Sequence, residues 1–179
     1  MPAADDVFTS STTIPEPALA MRQARRRLGL GPGGFIILHC GRMAPRGGID
    51  TLILGVALLQ RRHGVEATLL VAHDDAAAPD PGNAAGFERA RLRQLARELG
   101  IERQVHFLVD QDAAARRDCQ AAANVRISTP WETHADGAGG WRMAPRDAEA
   151  LAAHLARLQR RPDLAHAMAD AADNARVPA

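Results

Sequence analysis

The residues best suited to chemistry in this chain form an arginine and glycine cluster, "GRMAPRGG", at 41–48. Gly41, Gly47 and Gly48 let backbone come close to a ligand, and Arg42 can offer a diphosphate a bidentate, charge-assisted contact. Arg46 adds a second cation beside the glycine pair. A helix beginning at Ile49 would aim its free N–H groups at the same anion. The plainer alternative is a tight turn with two solvated arginines. The pentapeptide Arg-Met-Ala-Pro-Arg returns at 142–146, but nothing on either side of the two copies is alike, so there is no repeat unit. The second copy leads into a helix through Asp147 as N-cap, which leaves the first as the candidate site.

Other clusters carry less. "DQD" at 110–112 has the spacing of a metal-holding carboxylate pair, yet Asp112 also suits a helix N-cap. "HDD" at 73–75 opens a polar loop with no evident fourth ligand and reads as solvated. His134, beside Glu132, is placed to act as a base or simply to fill a loop. His39 and His106 stand in apolar runs and read as core histidines, whereas His154 and His166 read as helix-surface residues. Trp131 and Trp141 suit a cover over the core, or a platform for a base or sugar. The basic run "RQARRR" at 22–27 reads as a solvated helix face.

These side chains need a scaffold, and the order of segments supplies one. "PALAMRQARRRLGL" reads as a helix stopped by Gly29 and Gly31. "FIILHC" is a continuous apolar run, the mark of a strand buried on both faces. After the glycine-rich loop come a helix from Ile49, a strand "EATLLVAH" and a polar loop. Then follow a helix "FERARLRQLARELG", a strand "QVHFLV", a helix "DAAARRDCQAAA" and a strand "NVRIST". Strand and helix alternating at this spacing predict an α/β fold, a Rossmann-like open parallel sheet of about four strands in the order 3-2-1-4, with helices on both faces. The rhythm breaks after Thr129. Two closing helices, "RDAEALAAHLARLQRR" and "PDLAHAMADAADNARV", are expected beyond it.

Composition narrows the function. With 179 residues, one domain over 16–179 behind a polar leader at 1–15 is expected. All 22 basic residues are arginine, so a phosphate-binding lysine is excluded. A net charge of +1 gives no global attraction to nucleic acid or anionic membrane, and four Phe, two Trp and no Tyr give few stacking platforms. No apolar run approaches the ~20 residues of a membrane span. The acidic, polar N-terminus does not read as a signal peptide, and Cys40 and Cys119 do not suggest a disulfide framework, so a cytoplasmic location is expected.

Taken in order, "RRRLGL", "FIILHCGRMAPRGGIDTLILGVALL", "LARELGIERQVHFLV", "STPWE" and "DGAGGWRMAPRDAEALAAHLARL" resemble the C-terminal, donor-binding domain of GT-B glycosyltransferases of family 4. The resemblance covers nearly the whole chain after residue 25. It implies binding of a nucleotide sugar and retaining glycosyl transfer without a metal or other cofactor. Gly41 and Arg42 match the family's Gly-Arg pair at the donor diphosphate, with Arg46 nearby. Leu108, Val109 and Asp110 match the segment that touches the base. Glu132 matches the first of two family glutamates, at the donor sugar or ribose.

The departures are equally specific. The family's Lys-Gly pair reads Gly47-Gly48 here. Its second glutamate, with about two βα units, is missing at an internal deletion near 133–138, and the N-terminal acceptor domain is missing too. The resemblance therefore implies a reduced domain in which no residue takes a catalytic role. Its expected partners are a nucleotide sugar and either a separately encoded acceptor domain or a second copy paired through the shortened side of the sheet. The alternative is a non-catalytic remnant or interaction module that keeps the scaffold without binding donor.

Overall fold

The computed structural model describes residues 16–41, 43, 45, 47–73, 84–108, 111–128 and 147–161. Four parallel strands, β1 (Phe35–Gly41), β2 (Ala67–His73), β3 (Val105–Leu108) and β4 (Val125–Ser128), form one sheet in the order β3-β2-β1-β4. This is the expected order. β1 lies between β2 and β4, with Ile37 opposite Leu69 on one side and Val125 on the other. Ile36, Ile37 and Leu38 are each at most 1% exposed, which is why this segment is apolar without alternation.

Helices cover both faces. On one, α2 (Ile49–His63), α3 (Ala84–Glu98) and α5 (Ala148–Arg160) enclose the larger core, to which Ile37, Leu52, Leu69, Leu92 and Leu155 contribute. On the other, α1 (Glu16–Arg27) and α4 (Ala113–Ala122) cover a smaller cluster that includes Ile36, Leu38, Leu70 and Cys119. Alternation along β1 and β2 sends odd-numbered side chains to the first layer and even-numbered ones to the second. Asp112 and Asp147 act as the expected N-caps. Their carboxylates accept from Ala115 N at 2.7 Å and from Ala150 N at 2.8 Å.

Four expectations need correction. Helix α3 starts at Ala84, upstream of Phe87, because Ala84 and Ala85 are strong helix formers and Ala85 packs into the core. His106 is exposed, since β3 is an edge strand and this residue points away from the core. His154 is half-buried on α5 rather than a surface residue, and burial, then Arg157, lowers its pKa. The fourth concerns "RQARRR", which is not wholly a solvated face. Arg25 is 3% exposed and donates to Ala122 O, Pro32 O and Asn124 Oδ1. Asn124 Oδ1 also accepts from Ile36 N at 2.8 Å, so one arginine and one amide tie α1, the start of β1 and the α4–β4 corner together. Arg27 makes a bidentate pair with Asp118 on α4, which holds that carboxyl below its ordinary pKa. Arg22, Gln23, Arg26 and the salt-bridged Arg27 remain on the surface as expected, whereas Ala24 and Arg25 are buried.

Candidate functional site

The strand order reverses between β1 and β4. In an open parallel sheet, the crevice outside the carboxyl ends of such a strand pair is where ligands bind. Gly41, the last residue of β1, stands at that edge, and Cys40 is in register with Ser128, the last residue of β4. On the other side of β1, Gly41 is in register with His73 of β2, and Ala72 is paired in turn with Leu108 of β3. Leu108, Gly41 and Ser128 therefore lie along one edge of the sheet. At about 4.8 Å per strand, Leu108 is roughly 10 Å from Gly41, with β2 between them.

The loop from β1 to α2 is pinned from below. Met43 is 5% exposed and inserted in the larger core, whereas Pro45 is exposed. The sequence reading passed over Met43, whose only signal was an apolar residue between two arginines. Gly48 caps α2 with φ 88° and ψ −1°, the left-handed region that favours glycine, and it brings no side-chain oxygen to the helix amides. Leu52 N donates to Gly48 O at 3.1 Å, which closes the first helical turn. The cap residue thus leaves the amides of the first turn to other acceptors.

One of those amides is already occupied. Asp50 Oδ1 accepts from Thr51 N at 2.9 Å, which puts a carboxylate in the first turn of α2. Arg91 on α3 balances it. The guanidinium is 3.6 Å from Asp50 Oδ2 and bidentate to Glu88, at 2.6 and 2.8 Å. Glu88 is 5% exposed, a buried carboxylate neutralised by its own helix neighbour three residues on. The sequence reading missed this trio. Its i, i+3 spacing was visible, but the approach of Asp50 needed the packing of α2 beside α3.

His39, on β1 two residues before Gly41, is fully buried, and burial alone lowers its pKa to about 4. It is a neutral core histidine, as expected, and no proton carrier at neutral pH. Of the candidate ligand-binding residues, the structure describes Gly41 and Leu108 and brings them to one edge. Arg42, Arg46, Val109, Asp110 and Glu132 lie outside the described residues, as do Asp74, Asp75, His134, Trp131 and Trp141. Among the described residues, no group of three or more His, Cys, Asp and Glu is arranged to hold a metal ion. No described helix is long and apolar enough to cross a membrane.

No protein-family model matches the chain, and no curated protein matches it significantly. Solved structures do. WaaG, a glycosyltransferase involved in lipopolysaccharide biosynthesis, superposes with a TM-score of 0.61 at 21% identity, over 90% of this chain and 47% of that one. The C-terminal domain of a glycosyl transferase group 1 family protein, LpcC from Francisella tularensis, gives 0.60 at 16% identity, over 83% of this chain and 87% of that domain. This chain has the fold of a GT-B glycosyltransferase C-terminal domain. It spans about half the length of the WaaG chain and nearly all of the LpcC domain. The N-terminal domain of trehalose-6-phosphate phosphatase from Candida albicans also superposes, with a TM-score of 0.60 at 11% identity, over 92% of this chain and 43% of that one. These likenesses are of fold, and a fold does not by itself carry an activity.

Proposed function

We propose that this chain is the donor-side domain of a retaining glycosyltransferase of family 4 and binds the nucleotide diphosphate of a nucleotide sugar, with Arg42 as the principal phosphate contact. The observation that carries the reading is the junction of β1 with α2. A strand at the reversal point of the sheet ends in Gly41, Met43 anchors the following loop, and Gly48 opens the helix without a capping side chain. This is the usual position for a phosphate in such sheets. The edge order also suits an extended ligand. The base would lie toward the segment that follows Leu108, the diphosphate over the junction of β1 with α2, and the sugar toward the segment that follows Ser128 and contains Glu132. Transfer without a metal, and an acceptor domain supplied by another chain or by further sequence, belong to the same proposal.

Two features favour a second reading, a scaffold that no longer holds donor. The chain has no lysine, and Asp50 adds a carboxylate at the amide end of α2. Thermal unfolding with UDP, GDP, ADP and their sugars, beside the Arg42→Ala variant, separates the two. Ligand at one hundred times its Kd stabilises the fold by about 2.7 kcal/mol, equivalent to several degrees in Tm. A shift with one nucleotide that disappears in Arg42→Ala supports donor binding and names the base. A cooperative melt that no nucleotide moves supports the scaffold.

A further inference from the structure

A second basic site lies at the opposite edge of the sheet, and nothing in the donor reading uses it. Arg22, Arg25 and Arg26, in the last turns of α1, line a half-open concavity of about 390 Å³ with Leu30, Pro32 and Gly33. The volume falls within the ~300–1,000 Å³ of small-molecule sites. The turn at 32–33 precedes β1, and the Arg25 partners Ala122 and Asn124 precede β4, so the concavity lies at the amino ends of the strands. Six residues of β1, Phe35 to Cys40, separate it from Gly41. At ~3.3 Å per residue, that is roughly 20 Å.

Among the described residues the charge balance there is incomplete. Arg25 is buried, and its partners among them are neutral oxygens, two backbone carbonyls and one amide. Desolvation lowers its pKa accordingly. Arg22 and Arg26 are exposed and have no carboxylate partner among the described residues, in contrast to Arg27 with Asp118. The negative end of the α1 dipole is worth only about half a charge against three guanidinium groups. Arginine forks match phosphate oxygens, and the N–H groups of Arg25 outside its three bonds are held in place by those bonds. Leu30 and Pro32 give one wall an apolar surface. Gly33 has open space where a Cβ would stand, so it does not narrow the concavity.

We propose that this concavity binds a phosphate monoester bearing a small apolar body, with Arg22 and Arg26 as the closing cations over a fixed Arg25. The site is separate from the donor loop and stands or falls independently of it. The same chemistry could reach it as a free organic phosphate or as a lipid headgroup.

The test is calorimetric titration of the full chain with phenyl phosphate and with inorganic phosphate at constant ionic strength. Flotation with phosphatidylcholine vesicles, with and without phosphatidic acid, runs alongside. Arg25 is left intact because it holds the fold. The variants are Arg22→Gln/Arg26→Gln, both at exposed positions, and Arg42→Ala as the control at the other edge. Saturable binding of phenyl phosphate, tighter than that of inorganic phosphate, is expected to weaken about tenfold or more in the double variant and to be unchanged in Arg42→Ala. Flotation that depends on phosphatidic acid and on Arg22 and Arg26, with no binding of the free phosphates, would identify the headgroup as the source. Absence of binding in both arms, or binding that the double variant leaves unchanged, overturns the proposal. Circular dichroism and Tm in chloride confirm that the double variant is folded, so a loss of binding reports on the site.

Discussion

Acidification should weaken the fold through His39, and the size of the effect follows from its position. The side chain is fully buried in the central strand, and desolvation lowers its pKa from 6.5 to about 4. Between those values the unfolded chain takes up a proton that the native chain does not. Protons bound by the unfolded state exceed those bound by the native state, so stability rises with pH. The contribution is complete above the unfolded value, declines as pH falls through the window, and is gone near the folded value. One proton corresponds to about 1.4 kcal/mol per pH unit, or about 3 kcal/mol across the window. Urea unfolding followed by circular dichroism, from about pH 4 to about pH 7, would measure it in the wild type and in His39→Leu. His154 has the same sign of shift and titrates in both proteins, so the difference between the two curves isolates His39. The expected difference has a slope approaching 1.4 kcal/mol per unit in the middle of the window. Parallel curves would refute the reasoning, because they would mean that His39 titrates alike in the folded and unfolded chain.

Two further changes probe the scaffold. Asn124→Ala removes the acceptor shared by Ile36 N and Arg25 Nη2, which leaves two donors unsatisfied and one of them charged. A loss of about 2–4 kcal/mol is expected, read as a fall in Tm of roughly 5–15 °C, and a change under about 2 °C would count against a structural role for this corner. Gly55→Ala would place a Cβ 2.6 Å from Leu151 Cδ2 and 3.1 Å from its Cγ, where α2 and α5 touch. Crowding of about 1–3 kcal/mol should outweigh the ~1 kcal/mol helix-propensity gain of alanine. In a double-mutant cycle with Leu151→Ala the coupling should exceed about 0.5 kcal/mol, and additive losses would show that the helices separate freely.

The β1–α2 unit was legible because its signals are local. A continuous apolar strand, glycines in the turn and apolar residues at helical spacing each follow from short stretches of chain, and parallel connectivity limits the ways such units can be ordered. That is why the strand order and the N-caps Asp112 and Asp147 agree with the structure. The candidate ligand-binding residues were legible as types: Gly41, Arg42, Arg46, Glu132 and the segment 108–110. Of these, Gly41 and Leu108 are placed by the described sheet.

What remained hidden depended on contacts between distant parts of the chain. Arg25 and Arg26 are adjacent in one basic run, yet one is a buried bracket and the other a surface cation. The difference arises because Ala122 and Asn124, nearly one hundred residues away, supply the oxygens that allow a guanidinium to leave water. His39 and His106 both stand in apolar strands, but β1 is central and β3 is an edge, so only the first is desolvated. Asp50, Glu88 and Arg91 meet only because α2 packs beside α3. By itself, the sequence determined which segments become strands and helices and which residue types crowd the β1 loop, because backbone propensity and side-chain periodicity act over a few residues. Tertiary structure alone decided which charges are buried, which are paired and which are left facing a cavity, because the cost of removing a charge from water depends on the neighbours that replace it.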